Sequence, residues 1–455
     1  MVAFILPANS ATGGYEVSNS LKFRSANSAQ MSQGNGTQTN AKKWSVSFWI
    51  KLVAFADASR CVYSATGSSS TGSSITFVNN TLVVGCQGVS ETDWVGTLGS
   101  SSILFRDPSA WYNICIGFDS TQGTAANRLR GYVNGVEHTF NTLTSPTQNE
   151  DSNFNNGSDS KIGGNITNNS HNLDAYISQF YFIDGTQYAA SDFGKTNENG
   201  VWIPKAFGGT FGNNGTFVEG DSTTADASGN GNNYGQSAVI ITTDTPTNNF
   251  CTWNPLVGRA ASYSTFAEGN LDAKFTSGSI YLRATGSIGV TSGKWYAEMK
   301  CISDGGNDDL KVGVEPINPD QTDVTTLNRV IQSWNGYKAA DVGGGSFGDS
   351  YTDGDIVGIY LDMDNGTIKF SKNGTMMASS ASAYTDLVSA MPHGGWAFFS
   401  FGYDNANIQA NFGNAPFSIS SSNADANGYG SFEYSPTLSS TNYYALCTKN
   451  LAEYG

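Results

Sequence analysis

The chain of 455 residues carries a formal net charge of −15, with only 13% charged residues and 53 glycines. At roughly 100–200 residues per domain, this length allows about two to four domains. The acidic balance repels phosphate backbones and anionic lipid, and no run approaches the ~18 apolar residues of a membrane helix, so nucleic acid and membrane insertion are excluded as expected partners.

The chain opens on Met1-Val2-Ala3-Phe4-Ile5-Leu6-Pro7. This run has no basic flank and is shorter than the roughly 7–15 apolar residues of a signal-peptide core, so synthesis in a cytoplasm is expected. Residues 1–14 read as a docking segment in which Val2, Phe4, Ile5 and Leu6 seat on a neighbouring protein. Residues 44–51, Trp-Ser-Val-Ser-Phe-Trp-Ile-Lys, alternate with period two. Trp44, Val46, Phe48 and Ile50 take one face of a strand, and Ser45, Ser47, Trp49 and Lys51 take the other. Ser/Gly- and Asn-rich stretches at 64–74 and 148–172 read as loops. Residues 111–119, entered through Asp107-Pro108-Ser109, form a further strand. Residues 129–133 run into Asn134-Gly135, a hairpin signal because both residues tolerate positive φ. Residues 175–183 close this region.

Residues 206–250 are dense in Gly, Asn, Thr and Ser and read as a connector with one short strand near 238–242. Beyond it, residues 294–299 alternate, 354–362 form a nearly continuous apolar strand, and 367–371 lead into a second hairpin signal at Asn373-Gly374. Trp396 to Phe401 reads as a central buried strand, and residues 410–413 as the last strand of the sandwich. Strands recurring every roughly 8–14 residues between turn signals predict an all-β chain of two tandem antiparallel β-sandwiches. The expected boundaries are 15–205 and 251–440, with a C-terminal segment at 441–455. Six cysteines, at 61, 86, 115, 251, 301 and 447, form no CxxC pair, and most read as small core residues.

Several of these segments resemble known families. Ser20-Leu21-Lys22-Phe23, residues 44–51, residues 106–112, Tyr132-Val133-Asn134-Gly135, Lys161-Ile162-Gly163-Gly164 and Phe182-Ile183-Asp184-Gly185 resemble a laminin-G-like, concanavalin A-like jelly roll. Gly293-Lys294-Trp295-Tyr296-Ala297-Glu298, Val312-Gly313-Val314, residues 354–374 and Asn411-Phe412-Gly413 resemble a SPRY domain. The joints at 244–250 and 446–451 resemble those of virion proteins in tailed bacteriophages. The resemblance implies a virion-surface protein of decoration or adhesin type. Its implied partners are other virion proteins, copies of itself and host surface glycans; a purely structural capsid-decoration or tail-attachment role is the alternative.

Catalysis finds little support in the residues. A retaining glycanase needs two carboxylates about 5–5.5 Å apart. The nearest candidate, Glu91-Thr92-Asp93-Trp94, reads as a loop and lacks a second alternate acid. There are three histidines and no Gly-x-Ser-x-Gly elbow, so a glycan hydrolase is disfavoured and no enzyme is expected. Sugar binding needs an exposed aromatic plate beside hydrogen-bonding groups. Trp49 fits by alternation, Asp93 and Trp94 fit as a loop pair, and Trp334 and Tyr337 lie in a loop that resembles the partner-binding loops of SPRY domains. The laminin-G-like resemblance implies a possible Ca²⁺ at the sandwich rim, for which Asp119, Asp151, Asp159 and Asp174 offer hard oxygen ligands. Trp111, Trp295 and Trp396 fall within strands and are expected in the core.

Overall fold

The computed structural model describes residues 14–53, 59–66, 72–87, 93–98, 103–142, 145–155, 159–166, 169–257, 264–278, 280–306, 310–317, 328–338, 344–391 and 394–455, with nothing placed for the side chains of 86, 87, 93–97 and 142. The expected docking residues Val2, Phe4, Ile5 and Leu6 lie outside the described residues. These divide into two units, which meet in sequence at Asn248 and Asn249.

In the first unit the alternating strand Lys43–Leu52 sits centrally in an antiparallel sheet. Trp111–Asp119, Leu129–Val133 and Val136–His138 follow on one side, and Ala175–Asp184, Ser20–Phe23 and Ile240–Thr242 on the other. A second antiparallel sheet runs Phe140–Thr142, Asp93–Leu98, Thr81–Gln87, Gly72–Val78, Arg60–Thr66, Ser160–Ile162, Gln30–Gln33 and Gly235–Ser237. Trp44, Val46, Phe48 and Ile50 meet Val62, Tyr63, Ile75, Leu82 and Val84 of this sheet in one buried core. The hairpin at Asn134-Gly135 forms, with φ of 47° and 79° at its two residues.

Residues 206–250 are not a connector. Thr216–Val218 pairs with Ala175–Asp184 and Gly235–Ser237 with Gln30–Gln33, while the short strand expected near 238–242 forms as Ile240–Thr242 and pairs with Ser20–Phe23. The polar composition hides this because short edge strands gain most of their stability from backbone pairing and need few apolar side chains. The stretch at 64–74 also departs from expectation, since Arg60–Thr66 and Gly72–Val78 are neighbouring strands that enter it from both sides. Asp93 and Trp94 lie in a strand, not a loop, where Gln87 and Cys86 stand opposite them.

The outer face of the first sheet is itself covered. Residues 186–218 bring Phe193, Trp202, Phe207, Phe211 and Phe217 across it, over Cys115, Tyr132 and Tyr181. Tyr181 stacks on Phe217 at 4.3 Å and 4°, and Phe193 on Phe207 at 5.0 Å and 7°. Trp49 packs here with Val53, Trp111 and Tyr176, against Trp202.

The second unit repeats the plan. One sheet runs Ser264–Ala267, Asp272–Phe275, Ala406–Asn411, Lys294–Ser303, Ile356–Asp362, Thr367–Lys372 and Thr375–Met376. The other runs Leu282–Val290, Trp396–Gly402, Lys311–Pro316, Arg329–Gln332, Tyr337–Lys338 and Gly345–Ser346. Trp295, Met299, Ile359 and Leu361 pack against Val312, Val314, Trp396 and Phe398. The chain is therefore all-β, two antiparallel sandwiches in tandem, as the strand pattern predicts. Residues 410–413 are not the last of the sandwich, however. Tyr444–Ala445 adds to the sheet, in parallel with the start of Lys294–Ser303, and the helix Thr448–Tyr454 follows. Buried Glu298 accepts from the backbone N–H groups of Glu433 and Tyr434 and from Asn411 Nδ2, which seats this C-terminal stretch on the sheet's outer face. Cys61, Cys115, Cys251, Cys301 and Cys447 are buried free thiols.

Candidate ligand-binding surface

The strand Arg329–Gln332 carries the site. Arg329 donates from Nε and Nη2 to the two carboxylate oxygens of Asp386 at 3.0 and 2.7 Å, and its guanidinium lies 5.3 Å from the Trp396 ring centre. A bidentate pair over an aromatic face fixes direction as well as distance. The same guanidinium holds the Asp386 carboxyl below the usual carboxylate range.

From this strand the chain turns through Ser333-Trp334-Asn335-Gly336 into Tyr337–Lys338. Ser333 is buried; its N–H donates to Leu310 O and its Oγ accepts from Leu310 N. Tyr351 OH donates to the carbonyls of Leu310 and Ile331 from below. Gly336 has φ of 64°, and a Cβ there would stand 2.3 Å from Gly348 O, so only glycine closes the turn. Asn335 Oδ1 accepts from Tyr337 N at 2.8 Å.

On this fixed base Trp334 is 60% exposed and Tyr337 42% exposed. Trp334 Nε1 donates to Gln332 Oε1 at 3.0 Å, which orients the indole without covering it. Trp is highly buried on average, so an exposed Trp beside an exposed Tyr in one turn makes this a candidate interaction surface. Such rings offer flat apolar faces, and Gln332 and Asn335 supply amides beside them. The sequence singles out the two aromatics; it carries no signal for Ser333 or Tyr351, whose roles arise from strands remote in the chain.

The other expected site residues do not join them. Trp49 is 1% exposed and is no sugar plate, because Val53, Trp111, Tyr176 and Trp202 pack around it. Asp93 and Trp94 occupy strand positions, as described above.

Three of the four candidate calcium ligands have separate side-chain partners. Asp119 pairs with Lys43 and accepts from Thr121 and Gln122. Asp151 pairs with Lys42, and Asp174 with Arg60 and Ser25. The Asp159 carbonyl accepts from Thr66 N. Among the described residues no group of three or more His, Cys, Asp or Glu could hold a metal ion, so the expected rim site is not assembled from these four.

Residues 319–415 match the SPRY domain model. Trp334 and Tyr337 both lie inside this SPRY segment. The SPRY domain of human HERC1 is 21% identical, with a TM-score of 0.29, covering 35% of this chain and 96% of that one. Another human SPRY domain is 14% identical, with a TM-score of 0.26, covering 33% and 94%. A Bacteroides ovatus structure described as a candidate carbohydrate binding protein is 13% identical, with a TM-score of 0.35, covering 50% and 60%. No curated protein matches the chain.

Proposed function

We propose that the protein is a non-catalytic virion-surface protein that binds host-surface glycans, with Trp334 and Tyr337 as the contact in its SPRY segment. The observation that carries this reading is the 60% exposure of Trp334 on a turn held by Ser333, Gly336 and Tyr351. A preorganised aromatic platform loses little entropy on binding, which favours a recognition role over a merely solvated loop. The virion setting and a laminin-G-like first sandwich rest on the sequence resemblance at residues 15–205 and at the two joints. Many copies on one particle would convert weak sugar contacts into useful avidity.

The test is an array of bacterial surface polysaccharides probed with the full-length protein, with and without a calcium chelator, alongside Trp334→Ala and Tyr337→Ala. The expected result is chelator-independent binding that drops at least tenfold in each variant, the scale of losing a ring worth about 1.4 kcal/mol or more. Absence of binding to any polysaccharide, or binding untouched by both substitutions, refutes the proposal.

A further inference from the structure

A cleft of about 330 Å³ opens on the second unit, outside the SPRY segment except at Asp364. Its floor is the turn at Gly293-Lys294. Gly293 N donates to Asp364 Oδ1 at 2.8 Å, and Lys294 Nζ lies 2.6 Å from Asp362 Oδ1 and 3.2 Å from Asp364 Oδ2. Gly293 has φ of 82°, and a Cβ there would meet Tyr454 O at 2.6 Å, so the helix Thr448–Tyr454 closes directly over the turn. One wall is aromatic: the rings of Tyr444 and Tyr454 stack at 3.9 Å and 13°. Pairing of Tyr444 opposite Trp295 places the backbone that carries the first ring, and donation from Tyr454 OH to Asn427 Oδ1 at 3.3 Å orients the second. The rim carries Thr441 and Asn442, with Asn442 Oδ1 accepting from Thr437 Oγ1.

We infer that this cleft is a second binding site, for a single uncharged pyranose residue of a glycan. The volume sits at the small end of ligand pockets, about 300–1,000 Å³, which suits one sugar ring with its substituent directed to solvent. Stacking covers one face of each phenol ring, and the remaining face offers a flat surface for the C–H side of a pyranose. A carboxylate offers about four lone-pair sites and an ammonium three donors, so Asp364 and Lys294 keep hydrogen-bonding capacity beyond their mutual pair and can address sugar hydroxyls. The amide of Asn442 and the hydroxyl of Thr441 extend this set. Two carboxylates face one ammonium, which leaves the floor net negative and disfavours uronic, sialic and phosphorylated sugars. The inference stands on the cleft alone and holds whether or not Trp334 binds a ligand.

The test is titration calorimetry and ligand-observed NMR of the full-length protein with methyl glucoside, methyl mannoside, methyl galactoside and, as charged control, methyl glucuronide. The variants are Asp364→Asn, Tyr454→Ala, Tyr454→Phe and the double variant Trp334→Ala/Tyr337→Ala, each with its melting curve. At least one neutral glycoside is expected to saturate. Asp364→Asn and Tyr454→Ala should each weaken it at least tenfold and Tyr454→Phe by less, while a tenfold loss in the double variant would place the binding at Trp334 and Tyr337 and overturn the assignment. Because Tyr454→Phe keeps the ring and Asp364→Asn the shape, the outcome does not depend on Tyr454→Ala remaining folded. Failure of every neutral glycoside to saturate, equal binding of the glucuronide, or parental affinity in Asp364→Asn overturns the assignment.

Discussion

Asp244→Ala gives the sharpest test of how the first sandwich is held together. Asp244 and Lys51 are both 0% exposed, and Lys51 Nζ sits 2.8 Å from Asp244 Oδ2. The other carboxylate oxygen accepts from Trp111 Nε1 at 3.1 Å, and the Asp244 carbonyl accepts from Ser20 Oγ. The Lys51 ammonium also lies 5.8 Å from the Tyr176 ring centre. One carboxylate from a stretch that composition alone would make a connector thus balances a cation on the central strand. Removing one partner of a buried pair costs about 3–5 kcal/mol, since the remaining charge loses its compensation. At about 1.4 kcal/mol per decade, opening of this unit should rise by roughly two to three and a half orders of magnitude. Segment-resolved hydrogen exchange on the full chain reads this directly at the amides of Ser20–Phe23 and Lys43–Leu52. Replacing both members with apolar residues of similar size, Lys51→Met/Asp244→Leu, should recover most of the loss, because neither charge is then buried. A change below ~1 kcal/mol in Asp244→Ala, or a double variant no more stable than the single, refutes the reasoning.

Two further outcomes follow from buried groups. Trp49→Ala should destabilise the first unit by about 3–5 kcal/mol in denaturant unfolding, as truncation of a fully buried ring does; a loss below ~1 kcal/mol would mean the outer-face cover does not pack on it. In the second unit, burial pushes the Glu315 carboxyl up to about 8, opposed by Arg283 at 3.6 Å and by a hydrogen bond from Thr285 Oγ1. A carboxyl raised above its unfolded value binds more protons in the folded state. Its stabilisation is therefore complete below about pH 4.5 and is lost as pH rises through about 8. Glu315→Gln should flatten the stability–pH profile of this unit between those limits; a profile identical to the parent's would show that Glu315 does not titrate there.

Much of the fold can be read from residues that alternate or turn locally. The period-two face of Trp44, Val46, Phe48 and Ile50 lies in the core as expected. Asn134-Gly135 and Asn373-Gly374 make their hairpins, because two residues tolerant of positive φ suffice to reverse a twisted pair of strands. Trp111, Trp295 and Trp396 are buried. The strands missed are those with little apolar signal. Gly72–Val78, Gly-Ser-Ser-Ile-Thr-Phe-Val, has a polar first half, and Gly235–Ser237 is a three-residue edge. Backbone pairing, which every residue but proline supports, places them.

The candidate sites divide along the same line. Trp334 and Tyr337 are legible because an Asn-Gly turn between two aromatics leaves them nowhere to bury locally. Trp49 misleads because alternation assigns a side to each residue but not what lies on that side. In this protein Trp202, well downstream, returns to pack on it beside Val53, Trp111 and Tyr176. The Tyr444–Tyr454 cleft has no motif at all, since its floor and wall come from opposite ends of the second unit. The sequence alone determines the all-β class, the two hairpins, the core faces and the acidic balance, since each follows from local chemistry. Tertiary structure alone decided that residues 206–248 belong to the first sandwich, that Trp49 is core, that the four aspartates stand apart and that a cleft forms at Gly293. Those outcomes depend on which remote segment reaches each surface first and excludes water from it.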